Sequence, residues 1–313
     1  MLFRSDETGI ALTGARAPRD ARKTRGRDAR AAGPVAAVAV ARVAGAQNLF
    51  MKSNIEWKKW GERDPLYAVA TWQGKELGAP EAWTDEEFYQ LGRSDWADFL
   101  RHWQHYGLSP GTCIEIGCGA GRITKQLSQC FRQVTGLDVS QHQLDYARAR
   151  VPASTVTFTL SDGTRLPVAD GAFDAVFSVQ VFQHFESHDD ALAVFRDIHR
   201  ALTGGGTLMI HLPLYDLPDT KISILFPPVI ALAKRLSDLK AAVDRHSLVK
   251  GKWKPVMRRL RFDRHQLLTQ LQNMGFSRIE FRMFPVQSNQ SYHEFVFATK
   301  GATGVAAACV TGT

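Results

Sequence analysis

Cys113-Ile-Glu-Ile-Gly-Cys-Gly-Ala-Gly-Arg122 is the stretch on which the reading of this 313-residue chain turns. Thr112–Ile116 is a short run of the kind that forms a buried strand. Gly117, Gly119 and Gly121 follow in a GxGxG pattern, and Arg122–Phe131 predicts a helix. Strand, glycine loop and helix make a nucleotide-binding turn. Glycines let the backbone bend sharply and let a ligand approach without a Cβ in the way. A helix start offers unpaired N–H groups to a carboxylate or phosphate. A plain tight βα turn carries the same glycines, so the decision rests on what stands at fixed distances from them.

Glu115 lies two residues before Gly117, near the end of a buried strand, where an acid is costly unless partnered. Val134-Thr-Gly-Leu-Asp138 predicts a second strand ending in an acid, 17 residues after Gly121, where a carboxylate accepts both hydroxyls of a ribose. Leu160-Ser-Asp162-Gly163 follows a third strand at 155–159 and offers a side-chain oxygen and backbone to an adenine edge. One acid, a glycine loop and two further acids suit a nucleoside with a cationic tail, such as S-adenosylmethionine (SAM).

The chain here resembles the class I SAM-dependent methyltransferases, near the ubiquinone/menaquinone-type and small-molecule group. The resemblance covers roughly Trp83 to Lys300. It rests on IEIGCGAGR (114–122), GLDVS (136–140), SDGTRLPVADGAFDAVFSVQVFQHF (161–185) and RALTGGGTLMI (200–210), whose order and spacing together are specific. It implies that Glu115 and the loop Gly117, Cys118, Gly119 and Gly121 hold the methionine part. Asp138 and Val139 are then expected at the ribose, Asp162 and Gly163 at the adenine, and Val179 and Gln180 at the end of strand four beside them.

At 44% hydrophobic and 22% charged residues, the composition is that of a globular domain without a membrane-spanning run. Residues 1–50 carry nine Lys/Arg and four Asp/Glu, a net of +5 out of +8. They show little periodicity and are expected to be a disordered extension or to precede a start at Met51; the pattern is wrong for a signal peptide. Cys113, Cys118, Cys130 and Cys309 form no CxxC pair and read as reduced thiols in a cytoplasmic protein.

Residues 51–111 are rich in aromatics and predict a helical cap. Thr84 and Glu87 form a capping-box signature, and Trp96, Phe99, Leu100 and Trp103 recur at helical spacing. Most of these aromatics are expected to lie against the sheet. Tyr89 and Arg93 are the candidates for closing over the cofactor.

From Thr112 strands and helices alternate, predicting a Rossmann-like, doubly wound, mostly parallel sheet. Strands are expected at 112–116, 133–137, 155–159, 174–179 and 207–212, with Gly204–Gly206 as a turn before the last. Helices are expected at 141–150, 188–202 and 262–274. Two closing strands, 277–284 and 292–299, imply an antiparallel last strand. Residues 301–313 read as a flexible tail. Between strand five and the last helix, 214–262 reads as a lid-like insert with an amphipathic helix from Val229 to Val243. Its eleven Lys/Arg and four Asp/Glu give +7. That basic face is a solvated helix face, a lid over a substrate pocket, or a contact for an anionic membrane surface or acidic substrate.

Methyl transfer needs an in-line nucleophile and exclusion of water; a general base depends on the acceptor. His184 is the first candidate base, with His211 and Tyr215 second. His184 and His188 stand four apart, but no third ligand accompanies them, so no metal is expected. A small, partly apolar acceptor is the expected partner. Nucleic acid is not, since no recognised motif accompanies the basic residues. A nicotinamide oxidoreductase shares the turn and Asp138 but leaves Glu115 and Asp162-Gly163 unexplained. A non-catalytic SAM-binding protein remains the other alternative.

Overall fold

The computed structural model describes residues 52–152, 154–216 and 260–301, with side chains from Asn54 onward. The extension 1–50, the helix 229–243 and nearly all of the insert, and the tail 302–313 lie outside the described residues. Within the described residues lie α1 (Lys52–Arg63), α2 (Pro65–Val69), α3 (Asp85–Tyr106), β1 (Thr112–Ile116), α4 (Thr124–Cys130) and β2 (Gln133–Asp138). After these come α5 (Gln141–Arg148), β3 (Val156–Leu160), β4 (Phe173–Ser178), α6 (His188–Ala201) and β5 (Leu202–His211). The last elements are β6 (Leu214–Tyr215), β7 (Phe262–Asp263), α7 (Arg264–Asn273), β8 (Phe276–Pro285) and β9 (Tyr292–Lys300).

The main sheet has seven strands in the order β3-β2-β1-β4-β5-β9-β8. β3 through β5 run parallel, and β9 is antiparallel to both β5 and β8. The order reverses between β1 and β4, so the crevice at their carboxyl ends is where an open α/β sheet binds its ligand.

Strict alternation along the strands builds two cores. Cys113, Ala175, Phe177, Met209, Phe295 and Phe297 face one side and pack with Phe88, Trp96, Phe99, Trp103 and Tyr106 of α3. Ile114, Ile116, Val176, Leu208, Ile210, Val296 and Ala298 face the other and pack with α6 and α7. A side-chain period of two assigns each strand residue to one face, and both faces are covered by helices.

α3 starts at the expected box: Glu87 N donates to Thr84 Oγ1, and Thr84 N donates to Glu87 Oε2, both at 3.2 Å. It stops at Gly107, left-handed at φ 116°. Trp103 is fully buried, and its Nε1 donates to Thr207 Oγ1 at 3.1 Å.

Two expectations need correction. Gly204–Gly206 is no turn before strand five. β5 leaves α6 directly at Leu202, and its pairing with β4 jumps from Phe173↔Leu202 to Ala175↔Thr207. The glycines are a bulge inside the strand, with Gly205 at φ 82°. The last helix begins at Arg264, because Phe262–Asp263 pairs with Leu214–Tyr215 and the Asp263 carboxylate caps the helix by accepting from Gln266 N at 2.8 Å. Among the described residues no helix is long and apolar enough to cross a membrane.

Trp103→Ala should cost about 3–5 kcal/mol of stability in urea unfolding. A loss below about 1 kcal/mol would show that α3 is not packed on the sheet as described.

Candidate functional site

The glycine loop turns because Gly117, Gly119 and Gly121 hold φ values of 71°, 51° and 80°. Side chains are unfavourable at such angles, and here there is no room either: a Cβ on Gly119 would sit 2.5 Å from Val69 Cγ2. The loop is pinned to β2. Gly117 N and Cys118 N donate to Leu137 O at 2.7 and 2.9 Å, and Gly119 N donates to Asp138 Oδ2 at 2.8 Å. Ser140 N donates to Asp138 Oδ1 at 2.9 Å. Asp138 thus joins the loop to the α5 start while lining the adjoining cavity. Burial pushes its carboxyl above its ordinary pKa, and the N–H bonds pull the other way.

Glu115 is 2% exposed beneath the loop and accepts from Thr124 Oγ1. Burial pushes its carboxyl from 4.5 up to about 8, against the opposing pull of the Thr124 hydroxyl and the Arg122 charge. It does not line the cavity. It stands behind the loop, and α4 begins at Thr124 beside it, two residues later than expected.

The cavity holds about 410 Å³ above the carboxyl ends of β1, β2 and β4. Its floor carries an ion pair between Arg122 of the loop and Asp95 of α3, 8% and 4% exposed. Asp95 Oδ1 and Arg122 Nε are buried with no hydrogen-bond partner among the described residues. So is Oε1 of Gln143, whose Nε2 donates to Pro65 O at 3.0 Å. Unsatisfied buried polar atoms are costly and call for a partner. An acceptor on Asp95 and a donor on Arg122 are the complement of an amino-acid end, ammonium and carboxylate.

A chain of histidines and glutamines also meets the cavity, and its His293 lies within electrostatic reach of both Asp95 and Arg122. Gln180 N donates to His211 Nδ1 at 3.4 Å, and His211 Nε2 lies 3.2 Å from His293 Nδ1. Gln180 Nε2 is 3.3 Å from the same His293 nitrogen. Gln183 Nε2 donates to Gln180 Oε1 at 2.7 Å and lies 3.0 Å from His184 Nε2. Gln180 is held at φ 62°, an uncommon conformation for a non-glycine residue that functional sites retain. Burial drops His211 to about 3, with the His293 and His184 charges adding to the effect, so it is neutral at physiological pH. Burial also lowers His293. Trp57 of α1 meets the His184 ring edge-on, with centroids 4.8 Å apart.

The candidates expected from sequence separate here. Gly117, Gly119, Asp138, Val139, Gly163, Val179, Gln180 and His184 line the cavity. Glu115, Cys118 and Gly121 lie behind it, and Gly121 abuts Ala147 and Val151. His211 reaches the cavity through His293. Tyr215 does not line it; its ring sits 5.8 Å from the Arg261 guanidinium in the β6–β7 pair. Asp162 Oδ1 accepts from Thr164 N, Thr164 Oγ1 and Arg165 N, while Ser161 and Gly163 line the cavity. Asn54 Nδ2 donates to Asp162 O at 2.8 Å and covers this corner. Tyr89 donates to Ala120 O, and Arg93 is exposed. Asp95, Gln143 and His293 were not singled out by sequence. Asp95 alone carried a signal, as an acid on the aromatic stripe beside Trp96. Among the described residues no group of three or more His, Cys, Asp or Glu could hold a metal.

Residues 114–210 match a family profile described as a methyltransferase domain. Methyltransferase GfsG of Streptomyces halstedii is 34% identical over 102 residues, 31% of this chain and 36% of the relative. The fatty-acid O-methyltransferase of Mycolicibacterium smegmatis is 29% identical over 149 residues, 42% of this chain and 53% of the relative. Names of further relatives include a probable tRNA methyltransferase and a malonyl-[acyl-carrier protein] O-methyltransferase. The matches thus span about half or less of the curated relatives' length. The same fold occurs in the magnesium protoporphyrin IX methyltransferase of Synechocystis PCC 6803 with bound SAH, at TM-score 0.50 and 18% identity over 80% of this chain and all of that one.

The residues present fit SAM. Asp95 Oδ1 and Arg122 Nε are the partners an amino-acid end requires. Asp138 and the glycine loop offer a carboxylate and close backbone approach to a nucleoside.

A carboxyl raised in the folded state binds more protons than in the unfolded one, so stability falls as pH rises through the interval between its two pKa values. For Glu115 that interval runs from about 4.5 to about 8. The ligand-free protein should lose stability across it, and Glu115→Gln should flatten the loss in denaturant titrations at pH 5 and pH 8. Equal pH slopes in both proteins would show that Glu115 is ionised throughout.

Proposed function

We propose that this chain, whose residues 114–210 match a methyltransferase domain, is a class I SAM-dependent methyltransferase that moves the methyl group of SAM to an O, N or C nucleophile of a small, partly apolar acceptor. The observation that carries the reading is the meeting, in one cavity, of the unsatisfied Asp95–Arg122 pair, the Asp138-pinned loop and an apolar wall. SAM supplies a methyl group already activated on a sulfonium, so the protein's work is binding, alignment and exclusion of water.

In this reading Asp95, Arg122 and Gln143 hold the amino-acid end, with Glu115 supporting the loop from behind. Asp138 takes the ribose hydroxyls. Ser161, Gly163 and Asn54 frame the adenine; the Asp162 carboxylate organises their turn. Trp57, Leu91, Phe99 and Val286 give the acceptor an apolar enclosure, which supports a small molecule over a macromolecular acceptor. His184, as the general base, would first have to give up the Gln183 amide at its Nε2.

Calorimetric titration of the full chain with SAM, S-adenosylhomocysteine (SAH) and NADH tests the reading. Both adenosyl ligands should bind. Asp138→Ala should weaken them by about 100-fold, from two hydrogen bonds to a charged group at about 1.5 kcal/mol each. NADH should not bind. Binding of NADH without SAH would replace this reading with a nicotinamide oxidoreductase.

A further inference from the structure

The proton positions of the histidine network follow from one backbone donor. Gln180 N–H points at His211 Nδ1, so that nitrogen is an acceptor. Neutral His211 then carries its proton on Nε2 and donates to His293 Nδ1. The Gln180 side chain is oriented independently: its Oε1 accepts from Gln183, so its amide nitrogen also faces His293 Nδ1. Two donors on Nδ1 leave the His293 proton on Nε2. That atom is buried, hydrogen-bonds to nothing among the described residues, and belongs to a residue lining the cavity. His184 Nε2 likewise accepts, from the Gln183 amide.

None of the three rings therefore holds an uncommitted lone pair toward the acceptor in this network. What it presents is an N–H. An alcohol or thiol acceptor needs a base to take its proton. An amine has a single lone pair, and a donor bound to it would block attack. A carboxylate is ionised at neutral pH and has two oxygens, one to accept from His293 and one to react. We infer that the acceptor is a carboxylate on an apolar body, positioned by the Nε2–H of His293, with Trp57, Leu91, Phe99 and Val286 around the apolar part.

This inference rests on the methyltransferase reading. The free carboxylate oxygen would attack the sulfonium methyl carbon. The C–O bond forms as the C–S bond breaks with its electron pair staying on sulfur, giving a methyl ester and SAH with no proton transferred. His293 is a positioning donor and never changes its protonation.

The test uses the full chain saturated with SAH and three probes of equal chain length: decanoate, decan-1-ol and decylamine. Calorimetry should show decanoate binding tightest. His293→Leu should weaken decanoate about tenfold or more, the worth of a hydrogen bond to a charged group, and leave SAH affinity unchanged. His293→Gln, which restores a donor near the Nε2 position, should recover most of the loss. Nitrogen-15 spectra of the wild-type protein should show His293 protonated on Nε2 alone. Equal or tighter binding of the alcohol or amine, undiminished decanoate binding in His293→Leu, or a proton on His293 Nδ1 would each overturn the inference. If His293→Leu also loses SAH, the wild-type spectrum and the ranking of the three probes on the wild type decide. Failure of SAH to bind the wild type would instead remove the methyltransferase reading on which the inference stands.

Discussion

The site depends on one buried ion pair. Asp95 comes from the long helix before the sheet and Arg122 from the glycine loop, and both are almost fully withdrawn from water. Neither charge is tolerable there alone, and removing one partner of such a pair costs about 3–5 kcal/mol. The pair therefore clamps α3 against the loop. Gly92, one turn before Asp95, makes the clamp close: a Cβ there would meet the Arg122 backbone carbonyl. Oδ1 and Nε stay unsatisfied, and on the proposed reading they are the atoms that meet the amino-acid end of SAM.

Everything else positions that surface. α3 is held by the aromatic core it shares with β4, β5 and β9. The loop is held by Leu137 O and Asp138. The antiparallel β9 brings His293 beside His211 at the end of β5, which a wholly parallel sheet would not. The unusual backbone of Gln180 aims its N–H at His211 Nδ1. The buried ion pair, His293 and apolar side chains thus line one cavity.

The sheet was legible because its information is local. Alternating runs, the GxGxG turn and the Thr84–Glu87 cap each act within a few residues, and the mostly parallel, doubly wound class followed from the alternation of strands and helices; the strand order comes from the pairing alone. The errors were local too. Glycines at 204–206 fit a turn or a bulge equally, and only the pairing of β5 with β4 decides between them. Asp263 is a sound cap signal that the apolar Phe262 obscured. The site was half legible. Gly119 and Asp138 could be placed because the loop fixes their spacing. Asp95 lies 27 residues from Arg122, and His293 lies 82 from His211. No periodicity encodes such contacts; they exist only once the helix and the last strand have docked. Asp162, placed by the same kind of local signal, uses its Oδ1 to hold its own turn.

The most direct measurement compares SAH with 5′-methylthioadenosine, which lacks the amino-acid end, in the wild type and in Asp95→Asn. If the ion pair reads that end, SAH should bind the wild type about 10- to 100-fold tighter than methylthioadenosine, and Asp95→Asn should bring the two within a few-fold. An undiminished preference for SAH in Asp95→Asn would contradict the account, because the amino-acid end would then be held by other residues.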